Sequence, residues 1–195
     1  MEAKHNQPDV GTAQELVGHR VTLERFDQRH ITDRYLAWLI DPVVNQYSRR
    51  LGVPAPDYAQ AMSWLAGLQK DEVVYAVCLP SYGHVGNIKY GPIHWTNLSA
   101  DISILLGARE IWGQGLGAEA IYLVTRHLFV ERGVNRLSAA SINPAFVRMV
   151  EKLGWQREGI QREESIVGGI RYDSTLLSHL HREFVIRPEL EKVDA

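Results

Sequence analysis

Glycine recurs at alternate positions, Gly113, Gly115 and Gly117, between an apolar segment at 102–106 and a helix-patterned run that begins with Ala118-Glu119-Ala120. This arrangement dictates a strand, a tight turn and a helix in that order. Without Cβ, glycine permits the turn and lets a ligand approach the backbone. The first helical turn also presents unpaired N–H groups and the positive end of the helix dipole. A strand-to-helix turn built this way is an anion cradle, most often for phosphate.

The remaining pattern says what surrounds the cradle. Val21–Arg25 alternates apolar and polar residues, as a half-buried strand does, and Thr32–Ile40 reads as a helix stopped by Asp41-Pro42. Asp57 is placed to cap a second helix carrying Ala61, Trp64, Leu65 and Leu68 on one side. Three strand segments follow, Glu72–Leu79, His84–Trp95 and Ala100–Leu106, joined by turns short enough to require an antiparallel meander. After the glycines come a helix ending at Gly133, a strand at Val134–Ile142 and a helix opened by Pro144 and closed by Gly154. Last is a hairpin of Glu163–Val167 and Ile170–Leu177, turning at Gly168-Gly169. The strand–helix–strand unit in the second half demands parallel pairing there. The fold class is therefore α/β (α+β), with a mixed, mostly antiparallel sheet flanked by helices. Residues 1–17 are expected to be a flexible segment, 18–185 a single domain and 186–195 a tail.

Composition narrows the function classes. The 195 residues carry 21 basic and 23 acidic side chains, so there is no electrostatic case for nucleic acid. Charge interrupts every apolar stretch before it reaches membrane-spanning length, and the N-terminus lacks a secretory signal pattern. Cys78 stands alone and reads as a buried structural thiol. A cytoplasmic protein is expected.

Two phosphate motifs fail. A Walker loop requires Lys-Ser/Thr after the last glycine, which is absent. A Rossmann fingerprint is met in relaxed form by Gly113, Gly115 and Ala118, yet no acidic residue stands at 136–139 to hold a ribose, and the preceding strands are antiparallel.

The run from Trp112 to Ala120 instead resembles the pyrophosphate-binding motif of the GNAT acetyltransferases, Gln/Arg-x-x-Gly-x-Gly/Ala, at the turn where that family carries it. Asn143 followed by Glu151-Lys152-Leu153-Gly154-Trp155 is similar to the family's Asn…Glu-Lys-Leu-Gly-Phe segment, and Tyr35–Pro42 and Gly86-Asn87-Ile88 match the same branch. That branch, the RimJ/RimL type, includes ribosomal-protein N-terminal acetyltransferases and many small-molecule and sugar acetyltransferases. The resemblance spans roughly residues 20–180. It implies acetyl-CoA as donor, no metal, a primary amine as acceptor, and a monomer or homodimer. It also implies that the strand carrying Leu105 and Leu106 splays from the next one, giving a cleft for the pantetheine arm and a backbone N–H for the developing oxyanion.

Three departures bear on chemistry. Trp112 stands where the family often has Gln or Arg, leaving the pyrophosphate to Gly113 and the backbone N–H groups of Gln114, Gly115, Leu116 and Gly117. Phe146 replaces a Ser that often contacts coenzyme A, and Val150 replaces a Tyr that serves many relatives as general acid. Asn143 either bonds coenzyme A, caps the helix at Pro144, or does both. The amine must lose a proton before it attacks, so a base is required. His94 and Asp101 are candidates, each with a structural alternative as a hydrogen-bonded or turn-capping residue; Ser141 is a candidate donor to the departing thiolate, or a buried strand serine. For the acceptor the candidates are Tyr47, Arg49 with Arg50, Trp95 with Trp38, and Asp173, each equally readable as a surface, core or hairpin residue. Trp112 is expected to pack beneath the loop.

The function these readings imply is acetyl transfer to a small-molecule amine such as an amino sugar or sugar nucleotide. A protein N-terminus is the alternative acceptor, and a non-catalytic acyl-CoA sensor is an alternative of another class.

Overall fold

The computed structural model describes residues 15–192, in which eight strands form one sheet of order β1-β2-β3-β4-β5-β6-β8-β7. These are β1 (Leu16–Val17), β2 (Thr22–Arg25), β3 (Val73–Leu79), β4 (Gly83–Tyr90), β5 (Ser99–Leu106), β6 (Arg136–Ser141), β7 (Gln156–Val167) and β8 (Ile170–Leu180). The helices are α1 (Asp33–Trp38), α2 (Tyr58–Ala66), α3 (Leu116–Arg126) and α4 (Pro144–Lys152). Every residue of β3 is buried, which its Val-rich sequence suits, since both faces of a central strand are covered.

Local signals fix the ends. The Thr32 hydroxyl accepts from the Tyr35 amide at the start of α1, and Asp57 with Gln60 forms a capping box at α2. Gly168 and Gly169, both with positive φ, turn the last hairpin as the sequence requires.

One pairing creates the cleft. Strands β5 and β6 are the parallel pair, and they pair only from Ser99 to Asp101 against Arg136 to Ser138. Beyond that point β6 is held by β8 and β5 by β4, and the two strands separate. The expected splay is present.

Several expectations are corrected. Strand β4 ends at Tyr90, because Gly91 with φ 88° and Pro92 after it divert the chain before Trp95. The last hairpin is longer than its alternating core suggests, since β7 starts at Gln156 and β8 runs to Leu180. Leu16 and Val17, within the stretch expected to be flexible, pair with β2; residues 1–14 lie outside the described ones. The C-terminal segment also packs. Glu191 accepts from the Tyr122 hydroxyl at 2.6 Å and pairs with Arg126 at 3.1 Å, strapping residues 187–191 across α3; residues 193–195 lie outside the described ones.

Cys78 is buried, and burial with Glu24 alongside pushes its thiol up to about 12. Its sulfur lies near Glu24 and His30, the one grouping of potential metal ligands among the described residues. There the thiol stays protonated, and His30 Nδ1 accepts the Asp27 amide at 3.1 Å. No helix among the described residues is long and apolar enough to cross a membrane.

Candidate active site

The gap between β5 and β6 widens into a cleft of about 1420 Å³. At one end stand the glycine run and the facing side of α4; at the other, the connection between α1 and α2 meets the tip of the β7–β8 hairpin.

Gly113, Gly115, Leu116 and Gly117 all line the first end. Gly115 is the N-cap of α3 with φ 81°, and no side chain caps this helix. The amides of its first turn thus keep their donors for a ligand, in a field already positive from the helix dipole. A Cβ on Gly117 would come within 3.1 Å of Leu106 Cδ1 and 3.2 Å of Met149 Sδ, so glycine lets α3 pack closely against β5 and α4 there. This cradle, with the amides of its first turn uncapped, fits a diphosphate. Gln114 is displaced from the lining; its carbonyl accepts from Arg20 Nη1 at 2.8 Å.

Leu105 and Leu106 line the cleft from β5, where no β6 backbone pairs with them. Trp112 is not beneath the loop. It is 37% exposed, lines the cleft, and donates from Nε1 to the Leu106 carbonyl at 3.0 Å, tying the end of β5 to the glycine turn. Asn143 caps α4, its side chain accepting from Ala145 at 2.9 Å while the residue also lines the cleft. Ser141 reaches the cleft as well, and its Oγ accepts from the Asn143 amide at 3.1 Å, which leaves the hydroxyl proton free to be donated.

Other candidates lie elsewhere. His94 bridges to Ser99 at the far end of β5 from the glycines, carried away by the Gly91-Pro92 diversion. Asp101 accepts from Ser138 where β5 and β6 are still paired, upstream of the opening. Neither lines the cleft, and the base sought from sequence is not found in them. Trp95 donates to Asp71 at 2.8 Å beneath the Arg132 guanidinium, again outside the cleft. Trp38 is a core residue packed edge-on against His84 at 5.0 Å. Asp173 takes its structural alternative, accepting the Glu163 amide at 2.9 Å and holding the bulge where Glu163 has φ 52°.

At the second end, Tyr47, Arg49 and Arg50 do line the cleft. Arg49 is occupied by Glu164, whose carboxylate also accepts from Ser165 at 2.6 Å. The Ser165 and Arg49 contacts hold Glu164 below the usual carboxylate range. Lys89 is likewise paired with Glu72. Arg50 has no carboxylate partner among the described residues, and its Nε makes one long contact, 3.5 Å, to the Leu39 carbonyl.

Sequence reasoning missed Glu164 and Arg20. Glu164 is one acid among several in an exposed hairpin, and only the folded hairpin carries it to the α1–α2 connection. Arg20 reaches the glycine run from the β1–β2 turn, and its partner is the fully buried Glu119 of α3. The one available signal was Glu119 itself, a charge on the inner side of an otherwise apolar helix, which demands a partner.

A model of the acetyltransferase (GNAT) domain matches residues 20–156, well over half of the chain. The chain is 25% identical over 177 residues to the uncharacterized N-acetyltransferase p20 of Bacillus licheniformis, covering 87% of this chain and 97% of that protein. Among solved structures, a GCN5-related N-acetyltransferase from Brucella melitensis superposes with a TM-score of 0.71 at 23% identity, covering 91% of this chain and 81% of that one. Spermidine N-acetyltransferase from Vibrio cholerae, in complex with CoA and spermine, gives a TM-score of 0.71 at 19% identity, covering 84% and 97%. With the splayed strands and the uncapped glycine turn already in place, the chain belongs to the GNAT acetyltransferase family and is an acyltransferase that acts on amines.

Proposed function

We propose that the acceptor is a small molecule carrying both a primary amine and an anionic group, a carboxylate or phosphate. Arg50 carries this reading: a guanidinium in the cleft wall without a carboxylate partner among the described residues, beside two cations that already have theirs. A guanidinium in that state recognises carboxylate or phosphate through two parallel hydrogen bonds. Glu164 stays ionised, which suits it to hold the acceptor's ammonium by charge. This modifies the sequence expectation, in which Arg49 shared the anion.

Acetyl-CoA supplies a thioester activated for direct transfer. The first turn of α3 would hold its diphosphate, and the β6-facing side of β5 near Leu105 and Leu106, left without a strand partner, would face the acyl oxygen. Ser141 would donate a proton to the departing sulfur, the task that Val150 cannot perform.

The test is a panel of amines followed by release of free thiol. Amino-sugar phosphates and amino acids with a second anionic group are expected to outperform uncharged amino sugars, spermidine and N-terminal peptides by about tenfold or more in kcat/KM. Preference for spermidine, or for peptide N-termini, would overturn the reading. Acetyl-CoA binding with no thiol release from any amine would favour the sensor.

A further inference from the structure

We infer that Arg20 is a side-chain ligand for the diphosphate of coenzyme A, supplying the cationic contact that Trp112 denies the glycine run. The inference rests on the coenzyme A reading of the cleft.

The turn between β1 and β2 brings Arg20 against α3. Gly18 permits the approach, since a Cβ there would lie 2.7 Å from Glu119 Oε1. Glu119 is fully buried, and its oxygens are nearly all spoken for: Oε1 accepts the amides of Arg20 at 2.6 Å and Val21 at 3.0 Å, while Oε2 accepts Arg20 Nε at 3.0 Å. Because one carboxylate oxygen serves backbone, the ion pair is not the two-armed kind an isolated Arg–Glu pair adopts. Arg20 Nη1 takes the Gln114 carbonyl at 2.8 Å. That pins the guanidinium to the glycine turn itself.

What remains is Nη2. It has no acceptor among the described residues, and it lies 3.4 Å from where a Cβ of Gly115 would sit, at the N-cap of α3. The side chain is 42% exposed and lines the cleft. Its free donors and the open amides of the first α3 turn therefore converge on one spot. An anion with several oxygens is what satisfies both sets together. Fixing the guanidinium beforehand, through a buried carboxylate and a carbonyl, removes most of the rotamer entropy that a free arginine loses on binding.

The experiment is calorimetric titration of CoA into the wild type, Arg20→Met and Arg20→Lys at several salt concentrations, with thermal unfolding of each. Both variants are expected to bind about tenfold more weakly or worse. Arg20→Met should also show a shallower loss of affinity with salt, because one charge has left the ligand's surroundings. Should Arg20→Met fail to fold, Arg20→Lys decides, since it keeps a charge beside Glu119 while losing the second arm. Wild-type affinity in the folded variants would overturn the inference. So would weakened binding of Arg20→Met with an unchanged salt dependence, which would make Arg20 a brace for the loop only. If CoA does not bind the wild type, the coenzyme A reading itself fails, a result distinct from either.

Discussion

The two ends of the cleft are built by opposite strategies. The glycine end is made mostly of backbone: a glycine turn and the open first turn of α3, contiguous in sequence from Gly113 to Gly117. The opposite end is made of side chains from three separate places, Arg50 after α1, Lys89 on β4 and Glu164 on the hairpin. Backbone donors cannot be substituted away without changing the turn, whereas charged side chains can be exchanged singly while the fold persists.

That contrast can be broken by substitution at each end. The largest effect is expected at Gly115→Glu. The new side chain would be strained by the left-handed backbone and would set a negative charge beside the diphosphate and against Arg20. CoA affinity should fall by a hundredfold or more, roughly the 3 kcal/mol scale of a misplaced charge, while circular dichroism still reports a folded protein. Unchanged CoA affinity by calorimetry would refute the backbone cradle. A smaller and more selective effect is expected at Arg50→Met: acceptor KM should rise about tenfold with CoA affinity untouched. If CoA affinity falls equally, the two ends are not separable.

The smallest expected effect belongs to neither end and calibrates the scaffold between them. His127 and His179 are buried and His84 is half-buried, and desolvation holds each below the usual imidazole range. A depressed imidazole stabilises the fold while it stays neutral in both states. That stability is present above the unfolded value of about 6.5 and is lost progressively as pH falls below it. Thermal midpoints should therefore decline between about pH 6.5 and 5, a window above most carboxylate titration. Midpoints that stay flat across it would show that these rings are not kept neutral by the core.

The difference between the ends also explains what was legible in the chain. Gly113 to Gly117, Asn143 and the Gly168-Gly169 turn were readable because each is a local demand: a positive φ, a cap, a tight reversal. His94 was a candidate as an imidazole near a strand end and Asp101 as the acid opening the next strand, but a strand has two ends, and these residues lie at the paired one. Glu164 and Arg20 carried no local signature. Their partners, Arg49 and Glu119, are 115 and 99 positions away in the chain.

Turn chemistry, capping and periodicity act within a few residues, and that range was enough to read the element order, the mixed sheet and the glycine turn from the chain. Tertiary structure alone decided which charges are already neutralised and which remain for a ligand. Whether Arg49, Arg50 or Arg20 has a free N–H depends on carboxylates and carbonyls that the sheet order brings alongside, and pairing across that distance is a property of packing.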